Sequence, residues 1–214
     1  MTERTYTILF TSIGRRVALV NAFRRSFDRL GLKGRILGAD NSPLAAAQQV
    51  CDMPIIVHQC GDPRYIEQLL EICRSESVGL VIPLHDLELV ALAGRNEEFQ
   101  EAGATLCLSS EDVIRQCADK ELTYRTLVEA GIDTPQLYSY EQIKDSDLPL
   151  FMKPHDGNSA KDIHKLETRE QVDFYHRELP RAIIQEFITR HGLPRSSWIR
   201  QALFSVMGVA IPER

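Results

Sequence analysis

From Tyr6 to Leu108 short apolar runs alternate with stretches of helical spacing. Ile8, Leu9 and Phe10 predict a first strand, and Val20, Phe23, Phe27 and Leu30 a helix behind it. Arg35 to Ala39 predicts a second strand and Ile55 to Val57 a third. Ile66, Leu69, Leu70 and Cys73 recur as an amphipathic helix. Leu80, Val81 and Ile82 form another strand, Leu87, Val90 and Ala91 open another helix, and Ala104 to Leu108 returns as a strand. This alternation predicts a parallel sheet with helices on its faces. Ligands of such sheets sit at the carboxyl ends of the strands. Four loops therefore matter: Thr11–Arg16, Asp40–Pro43, Pro83–Glu88 and Ser109–Asp112.

The pattern then changes. Ser109 with Asp112 resembles a helix start, followed by a short helix from Val113 to Cys117. A second helix runs from about Lys120 to Ala130, where Gly131 suits a left-handed C-terminus and Pro135 forbids continuation. Leu150 to Met152, Ile163 to Leu166 and Ile183 to Ile188 read as strands. Between the last two, Thr168 and Gln171 make a capping-box signature for a helix ending near His176. This order predicts a small α+β unit.

Composition narrows the class. The 214 residues are 43% hydrophobic and 26% charged with a net charge of -5, ordinary for a globular protein and unlike a nucleic-acid binder. The five cysteines, Cys51, Cys60, Cys73, Cys107 and Cys117, form no CxxC pair, which favours reduced thiols in a cytoplasmic setting. Met1 to Thr7 lacks the apolar core of a signal peptide, and no run approaches the ~18 apolar residues of a membrane span.

Candidate chemistry lies in the loops. Thr11 to Arg16 contains Gly14, Arg15 and Arg16 between a strand and a helix, which fits either an anion site or a plain tight turn. Asp40 either accepts from a substrate hydroxyl or fixes a turn. His85, Asp86 and Glu88 follow a buried strand and can line a cleft, although Asp86 can equally cap the next helix. Lys153 ends the apolar run Phe151-Met152, where its ammonium either meets a phosphate or is simply solvated.

Taken together these segments resemble the ATP-grasp superfamily. Asp119-Lys120, Ala130 to Pro135, Pro149 to Pro154 and Ile184 to Ile188 occur in that order and approximate spacing. The opening Ile8 to Arg16, with Pro83 to Glu88, looks like the preceding domain of carbamoyl-phosphate-synthase large-subunit-like members. The resemblance implies a Rossmann-like pre-ATP-grasp α/β domain over 1–114, a partial ATP-grasp domain over 115–188 and an atypical tail over 189–214. It implies that Lys120 and Lys153 reach the ATP phosphates and adenine, and that Gly157 and Ser159 lie in the loop over the phosphates. It makes Glu186 an acceptor from the adenine amino group, with Phe187 and Ile188 beside the ring. Gly14, Arg15, Asp86 and Glu88 become candidate contacts to a small carboxylate or amine substrate. The activity expected is ATP- and Mg²⁺-dependent ligation through an acyl-phosphate. The alternatives are a non-catalytic nucleotide- or metabolite-binding protein, or the partner of a separate catalytic chain. A homo-oligomer is compatible with either.

Two departures stand out. Asp162 occupies a position of the phosphate loop where the family has glycine. From Thr189 onward the chain has four arginines, no lysine and one acid, and no Mg²⁺-ligand set is recognisable. The tail reads either as a shifted frame or truncation, or as a genuine segment with a strand from Leu203 to Ile211.

Overall fold

The structure, a computed structural model, describes residues 5–155 and 162–188. The chain forms two compact units, Met1–Arg115 and Gln116–Arg214.

The first unit contains β1 (Thr5–Thr11), α1 (Val17–Leu30), β2 (Lys33–Asp40), a 3-10 turn at Ala46–Val50 and β3 (Met53–Ile56). It continues through α2 (Tyr65–Ser75), β4 (Leu80–Pro83), α3 (Asp86–Leu92), α4 (Asn96–Glu101) and β5 (Thr105–Leu106). All strands pair in parallel, in the order β3-β2-β1-β4-β5. Alternate residues of β1 enter opposite cores, as the two-residue period of a strand requires. Leu9 packs with Leu37, Leu69, Val81 and Phe99 on one face. Ile8 and Phe10 pack with Ile13, Val20 and Ile36 on the other. Phe23, at 5.0 Å from the Phe10 ring in edge contact, ties α1 to that second face.

Helix α1 ends where its sequence permits a left turn. Gly31 has φ +62°, and Leu32 N–H returns to the Phe27 carbonyl at 2.9 Å. Gly38 serves packing instead: a Cβ there would sit 2.6 Å from Cys51 Sγ.

The short helix α5 (Glu111–Ala118) leads into the second unit. This unit holds α6 (Lys120–Glu129), β6 (Leu137–Tyr138), β7 (Leu150–Pro154), β8 (His164–Leu166), α7 (Arg169–Glu178) and β9 (Ala182–Glu186). Its sheet is antiparallel, in the order β6-β9-β7-β8. Leu150, Met152, Leu166, Val172 and Ile184 bury together between the sheet and α7. The expected caps form: Gly131 has φ +69°, and Thr168 Oγ accepts from Gln171 N–H at 3.3 Å.

Candidate functional site

The second unit brings the two candidate lysines together. Asp119 caps α6, its Oδ1 accepting from the N–H groups of Glu121 at 2.8 Å and Leu122 at 3.1 Å. Lys120, the first residue of that helix, donates both its backbone N–H (3.0 Å) and its ammonium (3.3 Å) to the carbonyl of His155. His155 follows directly on β7, whose penultimate residue is Lys153. The chain geometry thus seats one ammonium beside the other. Burial lowers the Lys153 pKa first, by stripping water from the charge, and the like charge of Lys120 lowers it further. Asp119 is opposite in sign and effect. Its burial opposes ionisation, yet the Leu122 and Glu121 N–H groups and His155 outweigh this and hold the carboxyl below its usual range.

The remaining nucleotide candidates are distributed differently. Glu186 pairs with Leu150 while Lys153 pairs with Ile183. That offset of three residues is about 10 Å of strand at ~3.4 Å each. Its pairing also aligns Glu186 with Leu150, on the face opposite Lys153. Glu186 is exposed, and its N–H bonds the Gln136 carbonyl at 2.8 Å. Phe187 lies instead with Phe151, ring centroids 6.4 Å apart, and under the Lys165 ammonium at 5.0 Å. Phe151 is the alternate neighbour of Lys153, so the sheet face carrying Phe187 is that of Lys153. Ile188 follows Phe187 beyond the end of β9. Gly157 and Ser159 lie outside the described residues. Asp162, in the place of an expected glycine, adopts φ +52°, the left-handed conformation a glycine would take freely. A nearby hollow of about 220 Å³, lined by Tyr138, Tyr140, His176 and Ile183 among others, contains none of these candidates.

The first unit has its own cleft at the carboxyl ends of its strands, about 500 Å³ in volume. It opens where the sheet order reverses, between β1 and β4. Ser12, Gly14, Arg16, Asp40, His58 and His85 belong to its wall. Asp40 is a turn carboxylate: one oxygen accepts from Gly14 N–H at 2.8 Å and the other from Ser42 N–H at 3.0 Å. Gly14, at φ +50°, needs the left-handed conformation to present that N–H. Arg16 spans the two loops, donating to the Ser12 carbonyl at 3.0 Å and to the Leu84 carbonyl.

Two expectations change here. Both arginines are exposed, but Arg16, and not Arg15, stands in the cleft wall. Glu88 is completely buried, accepting from the Tyr65 hydroxyl and from Leu84 N–H at 3.2 Å, so it has no surface to offer a substrate. Asp86 is exposed at the first turn of α3, but the cap is His85, whose Nδ1 accepts from Leu87 N–H at 3.3 Å. The Tyr65–Glu88 pair carried no local signal, because its members lie 23 residues apart. The roles of Arg16 and His155 were equally silent.

Comparison with known proteins places this geometry in a family. The model described as PylC-like, N-terminal domain, matches residues 8–107, and that of the ATP-grasp domain matches residues 117–196. A carbamoyl-phosphate synthase of Methanobrevibacter smithii is 27% identical over 134 residues, 59% of this chain and 36% of that protein. Among solved structures, the L-amino acid ligase of Bacillus licheniformis superposes with a TM-score of 0.60 at 16% identity, over 88% of this chain and 45% of that one. The N5-carboxyaminoimidazole synthetase of Staphylococcus aureus, in complex with ADP, gives 0.63 at 12% identity, over 88% and 50%. The chain therefore spans half or less of the length of these relatives. The two domain matches follow one another in the order of the two compact units, and by them the chain belongs to the ATP-grasp proteins and is carbamoyl-phosphate-synthase-like.

Proposed function

We propose that this chain binds ATP in its second unit and serves an ATP-dependent carboxylate–amine ligase. The observation that carries the reading is the paired ammonium groups of Lys120 and Lys153, close enough that one lowers the pKa of the other. Two ammonium groups side by side suit a polyphosphate, whose oxygens can accept from both. The sheet face that carries Lys153 also carries Phe187, which suits a ligand with an anionic end and a base more than a phosphate alone. In this reading Phe187 and Ile188 flank the adenine and Gly157 and Ser159 cover the phosphates, while the Glu186 side chain, on the opposite face, is left out of this contact. Substrate enters the first unit's cleft, with Gly14 and Arg16 at its wall and Arg15 and Asp86 outside it.

The chemistry proposed uses Mg²⁺, for which the described residues offer no ligand group. Among the described residues no three His, Cys, Asp or Glu side chains group to hold a metal. No step of phosphoryl transfer is therefore assigned to residues of this chain. No helix among the described residues is long and apolar enough to cross a membrane.

The test is ATP affinity of Lys153→Ala, by calorimetry. Loss of a charge-assisted contact predicts roughly 10- to 100-fold weaker binding. Unchanged affinity removes the reading. A second reading, a nucleotide binder without catalysis, is favoured by Asp162, whose carboxylate stands at the phosphate loop's edge. It predicts ATP binding with no ADP release across a panel of carboxylates and amines.

A further inference from the structure

The residue that fixes Lys120 is not itself a lysine contact by side chain. His155 receives Lys120 twice through its carbonyl, at 3.0 and 3.3 Å, and its own N–H donates to the Arg181 carbonyl at 3.2 Å. Its imidazole meanwhile lies over Asp119, with Nδ1 3.4 Å from Oδ2. Asp119 divides its two oxygens: Oδ1 caps α6 and Oδ2 faces the imidazole. The imidazole is 17% exposed and the carboxylate 33%, so solvent screens the pair only in part. One residue thereby joins the start of α6, the end of β7 and the residue preceding β9.

We propose that His155, held by the Asp119 carboxylate, is a positioning residue that sets the distance between the Lys120 and Lys153 ammonium groups and hence the affinity for a polyphosphate. The inference rests on the ATP-binding reading above. Asp119 has a double function in it: the helix cap needs only an acceptor oxygen, whereas the imidazole contact needs the second oxygen as well. The two functions are therefore separable by substitution. Asp119→Ser retains a capping oxygen and loses the imidazole partner. His155→Asn keeps a donor nitrogen at the place of Nδ1, whereas His155→Ala removes it.

The experiment measures the Kd of the full chain for MgATP by calorimetry, well below each variant's melting temperature. His155→Ala and Asp119→Ser should each weaken binding about fivefold, the coupling of a partly exposed charged pair. The double variant should be no weaker than either single one, because both remove the same contact. His155→Asn should bind within about twofold of the parent. Additive effects in the double variant, or a His155→Asn as weak as His155→Ala, overturn the positioning role. So does unchanged affinity in His155→Ala when Lys153→Ala loses it; that result leaves the ATP reading standing. If Lys153→Ala also binds normally, the ATP reading itself fails and the inference goes with it.

Discussion

Replacing Tyr65 by phenylalanine deletes a single oxygen from a side chain that is 1% exposed, and leaves its ring packed between α2 and the sheet. The loss falls on Glu88, which has no exposed surface and whose remaining partner is Leu84 N–H at 3.2 Å. A hydrogen bond to a charged group contributes about 1.5–3 kcal/mol, and a buried carboxylate short of a donor sits at the upper end. Tyr65→Phe should therefore cost about 2–3 kcal/mol in urea denaturation, read from the transition of the first unit with its m-value unchanged. In a Glu88→Gln background the bond is neutral, and the same substitution should cost about 1 kcal/mol. Burial, and then the Glu88 charge, raise the Tyr65 pKa in the folded chain. Its unfolded value is about 10, so the unfolded chain binds fewer protons above that pH and stability falls as pH rises. This contribution is complete below about pH 10, and its slope approaches ~1.4 kcal/mol per pH unit above it. Tyr65→Phe should flatten the alkaline decline by that amount. A cost below about 0.5 kcal/mol, equal in both backgrounds, would refute the argument that Glu88 is a buried charge relying on this hydroxyl.

Three further outcomes follow from other parts of the molecule. Gly14→Ala forces a Cβ onto φ +50° where its nearest neighbour, Arg16, is at an ordinary 3.5 Å, so the cost is conformational strain of about 1–2 kcal/mol; Gly14→Asn, in thermal denaturation, should lose clearly less. Burial pushes the thiols of Cys51 and Cys73 up to about 11, whereas Cys107 and Cys117 are exposed; iodoacetamide at pH 8 followed by peptide mass spectrometry should label the exposed pair well before the other two. Lys153 has its pKa lowered in the free protein, so a polyphosphate that restores it must draw in protons; calorimetry of ATP binding in buffers of different ionisation enthalpy, near and below pH 10.5, should show proton uptake that vanishes in Lys153→Met.

The parts that could be read from the chain are those fixed by local spacing. The β1 and α1 pattern is visible because Ile8, Leu9 and Phe10 must enter cores on both faces, while Val20, Phe23 and Phe27 must share one. Gly131 and Thr168 announce helix ends because their chemistry acts within a turn. The two-residue strand β6 was invisible, since Leu137–Tyr138 is strand only by pairing with Gln185 and Ile184. Helix α4 was also missed; Asn96–Glu101 is polar apart from Phe99, which supplies its one buried anchor. Lys120 and Lys153, the proposed phosphate contacts, are singled out by motif order alone. The residues that hold them are not, because a backbone carbonyl can come from any residue type. Glu88 was misplaced for a related reason: a carboxylate after a strand looks the same whether it faces a cleft or a tyrosine from another helix.

The lysine pair also bears on how stability and function divide in this chain. Two ammonium groups brought together and partly stripped of water work against folding, and the lowered pKa of Lys153 expresses that cost directly. Ion pairs such as Arg24 with Asp52 or Arg35 with Glu76 carry no such like-charge cost. Asp119 serves the arrangement in another way, giving one oxygen to the helix N–H groups and the other to the His155 imidazole. A carboxylate is thus employed in fixing the residues around the two ammonium groups. Like charges held close by well-formed hydrogen bonds, at a cost to stability, are characteristic of a site kept for binding.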